Sequence, residues 1–143
     1  MKIIEITASD KQDVVVYMGD DAVIHLDEII KETEDGVVYK YTGVLVDTAT
    51  QYIEEALISQ AKKLVQAQKL DTIIVETNNG FVFDGNEVSR NNMMSAIQAS
   101  DILGVSETQW KLADNTIATV DMQVMKEALA LSIQAVGVIV LGS

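Results

Sequence analysis

The chain has 143 residues, which is enough for one domain or for two small units that share a core. It contains no cysteine and a single histidine, His25, so disulfides, thiolate nucleophiles and multi-histidine zinc sites are excluded. Acidic residues outnumber basic ones by 22 to 10, for a net charge of −12. Because binding to phosphates requires Lys and Arg, we expect no nucleic-acid partner.

The first 47 residues have the pattern of β-strands. Alternating or β-branched residues occupy 2–8, 13–18, 22–30 and 37–46, and turn-forming residues separate these segments. The end of the third segment, residues 27–31, is also compatible with a helix. An antiparallel sheet over residues 1–47 is the simplest prediction.

A connecting helix is predicted within residues 48–70. Thr48 and Gln51 fit a capping box, and the apolar residues that follow recur at spacings of three and four. This spacing places them on one helical face and predicts a helix over about 49–68.

The remaining residues, 71–143, predict two strand pairs that each lead into a helix. Turn signals at 78–80 and 114–115 separate the strands of each pair. Ser89 is predicted to cap a helix that ends at Gly104, and Asp121 a helix that continues to about residue 135. The predicted fold class is therefore α+β: an N-terminal antiparallel β-sheet, a connecting helix and a C-terminal ββαββα unit.

No set of residues matches a catalytic or metal-binding pattern. His25 lies between Ile24 and Leu26, and a general base there would need an orienting carboxylate such as Asp27. The alternative interpretation is a half-buried histidine whose ring is hydrogen-bonded. Acidic clusters such as 20–21 and 32–35 lack the spacing of a calcium loop and are interpreted as solvated turns. We therefore predict a protein that is not an enzyme and has no catalytic residues, metal or cofactor.

One group of residues resembles a ligand pocket. It consists of Phe83, Arg90, Asn92 and Trp110, in which the only guanidinium of the chain could bind an anion beside an aromatic ring. This set supports an alternative function, a counter-defence protein that sequesters a small anionic nucleotide signal. A second form of that alternative uses the acidic surface to block a basic host protein. The competing interpretation places the aromatic rings in the core and pairs Arg90 with Glu87.

The most apolar segment is the C-terminal run 136–141. Its contact candidates are Val136, Val138, Ile139, Val140 and Leu141. The run is too short to cross a bilayer, which takes about 20 residues, so we expect no membrane partner. An exposed run of this kind favours aggregation, so either its own domain or another chain should cover it. No signal peptide is recognisable, which predicts synthesis in a cytoplasm.

Residues 80–135 resemble DUF4376, a phage domain family of unknown function. The resemblance is carried by Gly80-Phe81-Val82-Phe83-Asp84, by Glu87-x-Ser89-Arg90-x-x-Met93, and by the segment from Trp110 to Thr116. Members are small proteins, or C-terminal parts of them, encoded near tail and tail-fibre genes of tailed phages. The resemblance assigns no catalytic residue. Together with the lack of a catalytic set and the apolar C-terminal run, the resemblance leads us to expect a structural or assembly protein of the tail or tail fibre that contacts other phage proteins and forms homo-oligomers. Its expected location is the virion, after synthesis in the host cytoplasm.

Overall fold

The computed structural model describes residues 1–47 and 55–142, and the chain divides into two compact units, Met1–Val65 and Gln66–Ser143. The predicted α+β class is confirmed, since an N-terminal antiparallel sheet is followed by a helix and then by hairpin–helix units. The predicted capping box at Thr48 and Gln51, and the helix start at 49, lie outside the described residues.

The first unit contains a four-stranded antiparallel sheet. Its strands are β1 (Lys2–Ala8), β2 (Val15–Met18), β3 (Asp21–Thr33) and β4 (Gly36–Val46), arranged in the order β1-β4-β3-β2. The two long strands β3 and β4 are central, and each is paired on both sides.

The helical alternative for residues 27–31 is wrong, because β3 continues as a strand to Thr33. A bulge between Leu26 and Ile29 shifts its register, and Asp27 adopts a positive φ of 53° there. Beyond the bulge, Ile30 pairs with Tyr39. Pairing with β4 satisfies the backbone of this segment and outweighs its local spacing of apolar residues.

The core of the first unit joins the sheet to the helix α1 (Glu55–Asp71). Ile24 and Val44 are fully buried in it, together with Ala61 and Val65 of α1. Ala61 and Val65 are four residues apart and so lie on one face of the helix, as the sequence pattern predicts.

The second unit repeats a hairpin-then-helix arrangement twice. The first hairpin is β5 (Ile74–Glu76) with β6 (Val82–Asp84), followed by α2 (Glu87–Leu103). The second is β7 (Glu107–Lys111) with β8 (Ile117–Asp121), followed by α3 (Met122–Leu141). The Ala113 amide donates to the Val82 carbonyl at 3.0 Å and so links the two hairpins.

The predicted turn of the first hairpin has a positive φ at Gly80, with φ 87°. The Gly80 amide donates to the Thr77 carbonyl, and the Thr77 amide donates to the Phe81 carbonyl. This is a three-residue loop in which a glycine in the left-handed region follows a tight turn.

The helix boundaries are set by side chains that bind the first free amides. Asn86, and not Ser89, caps α2, because the Asn86 side chain accepts a hydrogen bond from the Ser89 amide. Gly104 ends α2 with φ 67°, as predicted. Asp121 caps α3 as predicted and accepts from the Gln123 amide at 2.7 Å. The predicted end of α3 near residue 135 is wrong, since the helix continues to Leu141.

The core of the second unit is formed by both hairpins and both helices. Its fully buried members include Phe83, Met93, Val120 and Met125. Val120 and Met125 flank the start of α3 in the positions of a hydrophobic staple, and both belong to this cluster. Trp110 is half-buried and packs against it.

Candidate functional site

The first half of α3 is an element of the core. Its buried residues are Met122, Met125, Ala128 and Ser132, which are spaced by three or four and so form one stripe along the helix. The Ser132 hydroxyl donates to the Ala128 carbonyl at 2.7 Å, which satisfies the one buried hydroxyl of the stripe.

The stripe ends where α3 passes the backbone at Gly85. A Cβ atom at Gly85 would lie 2.6 Å from the Ser132 Oγ and 2.6 Å from the Ile73 Cγ2. Real carbon atoms do not approach this closely, so the contact requires glycine. The Gly85 amide also donates to the Ile73 carbonyl at 2.7 Å, which fixes this backbone against the helix.

Beyond Ser132, α3 is largely exposed although it remains apolar. We call residues 133–141 the helix end. Of the predicted contact residues, Val138 is 68% exposed, Val140 48% and Leu141 87%, whereas Val136 and Ile139 are half-buried. Residues 128–142 contain no charged side chain in a chain of which 22% is charged. An uncharged, exposed run of this kind is a candidate contact surface.

The outer face of the helix end contains two residues that the sequence interpretation missed. Ile133, Gly137, Val140 and Leu141 are spaced i, i+4, i+7 and i+8 and so share one face. Ile133 is 54% exposed, and a Cβ atom at Gly137 would meet nothing within 4 Å. The spacing was readable from the sequence, but the predicted helix stopped before Gly137.

The same helix satisfies the length and composition of a membrane span. Among residues 1–47 and 55–142, α3 is the one helix long and apolar enough to cross a bilayer, and 17% of its most apolar window is buried. Insertion of the whole helix would remove Met122, Met125 and Ala128 from the core of the second unit.

The four predicted ligand residues do not surround a common cavity. Phe83 is fully buried, so its ring has no free face for a ligand. The Arg90 Nη1 donates to the Gly85 carbonyl at 2.7 Å rather than to Glu87. Asn92 is exposed, and Trp110 packs against the core.

Two open cavities lie on the second unit, and none of those four residues lines either one. The first, about 330 Å³, lies between the end of α2 and the start of α3 and includes Ser100, Asp121 and Lys126. Of the two hydroxyls and two carboxylates that line it, Ser100 donates to the Val105 carbonyl and Asp121 caps α3. The second, about 360 Å³, is an apolar groove between the hairpin tips.

His25 lies on β3, and its side chain is buried. Its ring meets the Tyr41 ring edge to face with centroids 4.9 Å apart, and its Nδ1 is buried without a hydrogen bond. A pairing of His25 with Asp27 requires strict alternation along β3. The bulge at Asp27 interrupts that alternation.

Tyr41 anchors the segment before β2 to the sheet. Its hydroxyl donates to the Glu28 Oε2 at 2.8 Å and accepts from the Gln12 amide at 2.9 Å. Burial raises the pKa of Tyr41 and the Glu28 carboxylate adds to that rise, whereas the Gln12 amide opposes it. The phenol therefore stays protonated and serves as a structural link.

The acidic residues do not gather into a metal site in the part of the chain that the structure describes, where no three His, Cys, Asp or Glu side chains are grouped to hold an ion. Asp114 instead organises the turn of the second hairpin. Its Oδ1 accepts from the Thr116 hydroxyl at 2.6 Å and from the Thr116 amide at 3.0 Å. These hydrogen bonds lower the pKa of Asp114 below its ordinary value of 3.8.

Comparison with known proteins identifies the family from which the second unit is built. No curated protein and no solved structure matches the chain significantly. The profile of one family, described as a domain of unknown function (DUF4376), matches residues 61–137. The match includes most of α1, both hairpins, α2 and α3 as far as Gly137. It spans more than half of the chain, and the protein therefore belongs to the DUF4376 family.

Proposed function

We propose that the protein is a structural or assembly protein of a tailed phage, associated with the tail or tail fibre, and that it acts by protein–protein contact. The observation that carries this proposal is the helix end, where Val138 and Leu141 are mostly exposed within a stretch, residues 128–142, that has no charged side chain. Exposed apolar surface costs free energy in water, and burial against another polypeptide recovers about 25 cal/mol per Å².

The phage setting rests on the family. The chain belongs to DUF4376, whose description assigns no activity. The resemblance noted in the sequence places such proteins beside tail and tail-fibre genes, and other phage proteins are the partners that this setting supplies.

A role without catalysis accords with the chemistry of the described residues. His25 is packed against Tyr41, and Arg90 is bound to a backbone carbonyl. Both groups are thus engaged in holding the fold, and we propose that they make no contact with a substrate.

The test is quantitative mass spectrometry of purified particles from the phage or prophage that encodes the chain. We expect the protein at a fixed stoichiometry to a tail protein. The matched variants are Val138→Asp on the helix end and Ile117→Asp on β8, since both positions are about 70% exposed. Val138→Asp should remove the protein from particles and Ile117→Asp should not. Absence of the unmodified protein from particles that assemble normally would contradict the proposal.

A further inference from the structure

We propose that Asn79 is a site of spontaneous deamidation, which the closed β5–β6 hairpin protects and which reacts when that hairpin opens. Asn79 and Gly80 form the only Asn-Gly pair in the chain. Glycine has no side chain to hinder attack by its own backbone nitrogen, so asparagine is most prone to this reaction when glycine follows it. The inference concerns the chemistry of the first hairpin and goes beyond the proposed function.

The reaction requires only the chain itself and water. The Gly80 backbone nitrogen attacks the Asn79 Cγ atom and forms a new C–N bond. The bond between Cγ and Nδ2 then breaks, and ammonia leaves with the proton of the Gly80 amide. Water opens the resulting succinimide ring at either of its two carbonyls, which gives aspartate or isoaspartate in place of the asparagine.

Both reacting groups are hydrogen-bonded to other partners in the closed hairpin. The Gly80 amide donates to the Thr77 carbonyl at 2.9 Å, so its nitrogen cannot lose the proton without breaking that bond. The Asn79 Oδ1 accepts from the Thr77 hydroxyl at 2.5 Å and from the Phe81 amide at 3.3 Å, and these bonds hold the side-chain amide in place. Ring closure moves both groups away from these partners, so the hydrogen bonds must open first.

Hydrogen bonding, and not burial, provides this protection. Asn79 is exposed, and a Cβ atom at Gly80 would meet nothing within 4 Å, so water reaches both residues. Thr77 is 3% exposed, and its amide donates to the Phe81 carbonyl at 2.9 Å, which anchors the hydroxyl that holds Asn79. The rate of deamidation in the folded protein therefore reports how often the hairpin opens, as amide hydrogen exchange does.

The isoaspartate product would make the opening irreversible. Isoaspartate adds a methylene group to the main chain, so the loop between Thr77 and Phe81 becomes longer and its backbone hydrogen bonds no longer fit. The residue after Phe81 is Val82, whose carbonyl accepts from the Ala113 amide of the second hairpin. A loosened loop therefore also weakens the link between the two hairpins.

The test is mass spectrometry of peptides from the full-length protein after incubation at mildly alkaline pH, either folded or in urea. We expect Asn79 to deamidate at least about tenfold faster in urea, because several hydrogen bonds no longer hold it and each shifts an equilibrium several-fold.

A matched pair of variants tests the role of the side-chain hydrogen bond. Thr77→Val removes the hydroxyl donor to Asn79 and should raise the rate in the folded protein several-fold without changing the rate in urea. Thr119→Val on β8, where the side chain is exposed, is the control and should change neither rate. Circular dichroism shows whether each variant is folded.

Three results would overturn the inference. They are an Asn79 that stays intact in urea, a folded parent that deamidates as fast as the unfolded chain, and a folded Thr77→Val variant that deamidates no faster than the folded parent. The comparison of the parent with and without urea needs no substitution, so the test does not depend on how well Thr77→Val folds.

Discussion

The two halves of α3 are both rich in apolar residues but differ in their surroundings. Before Ser132, the apolar stripe is buried against hairpins and helix, with Met125 and Ala128 fully inaccessible. After Ser132, the helix has no charged side chain, yet apolar side chains such as Val138 and Leu141 are exposed. Apolar composition therefore does not by itself show which part of the helix is buried. Burial depends on whether the rest of the unit packs against that part of the helix.

The largest expected difference in stability is between two truncations, one of a side chain in the first half of α3 and one of a side chain in the second half. Met125→Ala removes a fully buried side chain and should lower the free energy of unfolding by about 2–5 kcal/mol through lost burial and a cavity. Val138→Ala should change it by less than about 0.5 kcal/mol, because Val138 is 68% exposed. Urea unfolding of dilute protein measures both. Equal losses would contradict the contrast between the two halves.

A second pair of variants compares two glycines: Gly85, whose backbone lies against Ser132, and Gly137, which lies beyond Ser132 on α3. Gly85→Ala places a Cβ atom against Ser132 and Ile73 and should cost about 1–3 kcal/mol by overpacking. Gly137→Ala fills open space and should stabilise the isolated subunit by roughly 0.5–1 kcal/mol. Thermal unfolding at low protein concentration measures the stability of both variants. A less stable Gly85→Ala and a more stable Gly137→Ala would support this description. A less stable Gly137→Ala would show an unrecognised contact within the subunit.

The capped start of α3 provides a third test. Asp121→Ala leaves the Gln123 amide without its side-chain acceptor and should cost about 1 kcal/mol. Asp121→Asn retains an acceptor oxygen and should lie within a few tenths of a kcal/mol of the parent. Denaturant midpoints of the three proteins are sufficient to check this. A loss that is the same for both variants would indicate that the charge, and not the cap, is what matters.

The smallest expected effect concerns Asp114, in the turn of the β7–β8 hairpin, which packs against the first half of α3. Because hydrogen bonds lower the pKa of Asp114 in the folded state, its ionised form stabilises the fold above the ordinary value of 3.8. This stabilisation is lost as the pH falls through the lowered value. The stability difference between the parent and Asp114→Asn should therefore be present near pH 7 and shrink as the pH falls below 3.8. A difference independent of pH would contradict this role.

Local sequence signals predicted most of the fold. Alternating or β-branched residues located all four strands of the sheet, and the turn residues at 78–80 and 114–115 located both hairpins. They failed where two residues offered the same chemistry, as with Asn86 and Ser89, which are both good caps. They also failed at residues 27–31, where pairing with a distant strand decided the conformation.

The candidate site was predicted in part. The exposed residues of the helix end belong to a run that is conspicuous in the sequence, and five of its members were identified. Ile133 and Gly137 were missed because the predicted helix ended too early. The hydrogen bond from Arg90 to the Gly85 carbonyl depends on the conformation of the turn before α2, and residue type alone does not encode it.

The most direct test of the central claim, that another polypeptide covers the helix end, uses the absence of cysteine from the chain. Val138→Cys introduces a single thiol on the helix end, and Ile117→Cys introduces one at a similarly exposed position on β8. In the isolated protein a maleimide should label both variants, whereas in purified particles it should label Ile117→Cys and leave Val138→Cys largely unlabelled. Equal labelling of the two variants in particles would contradict the claim.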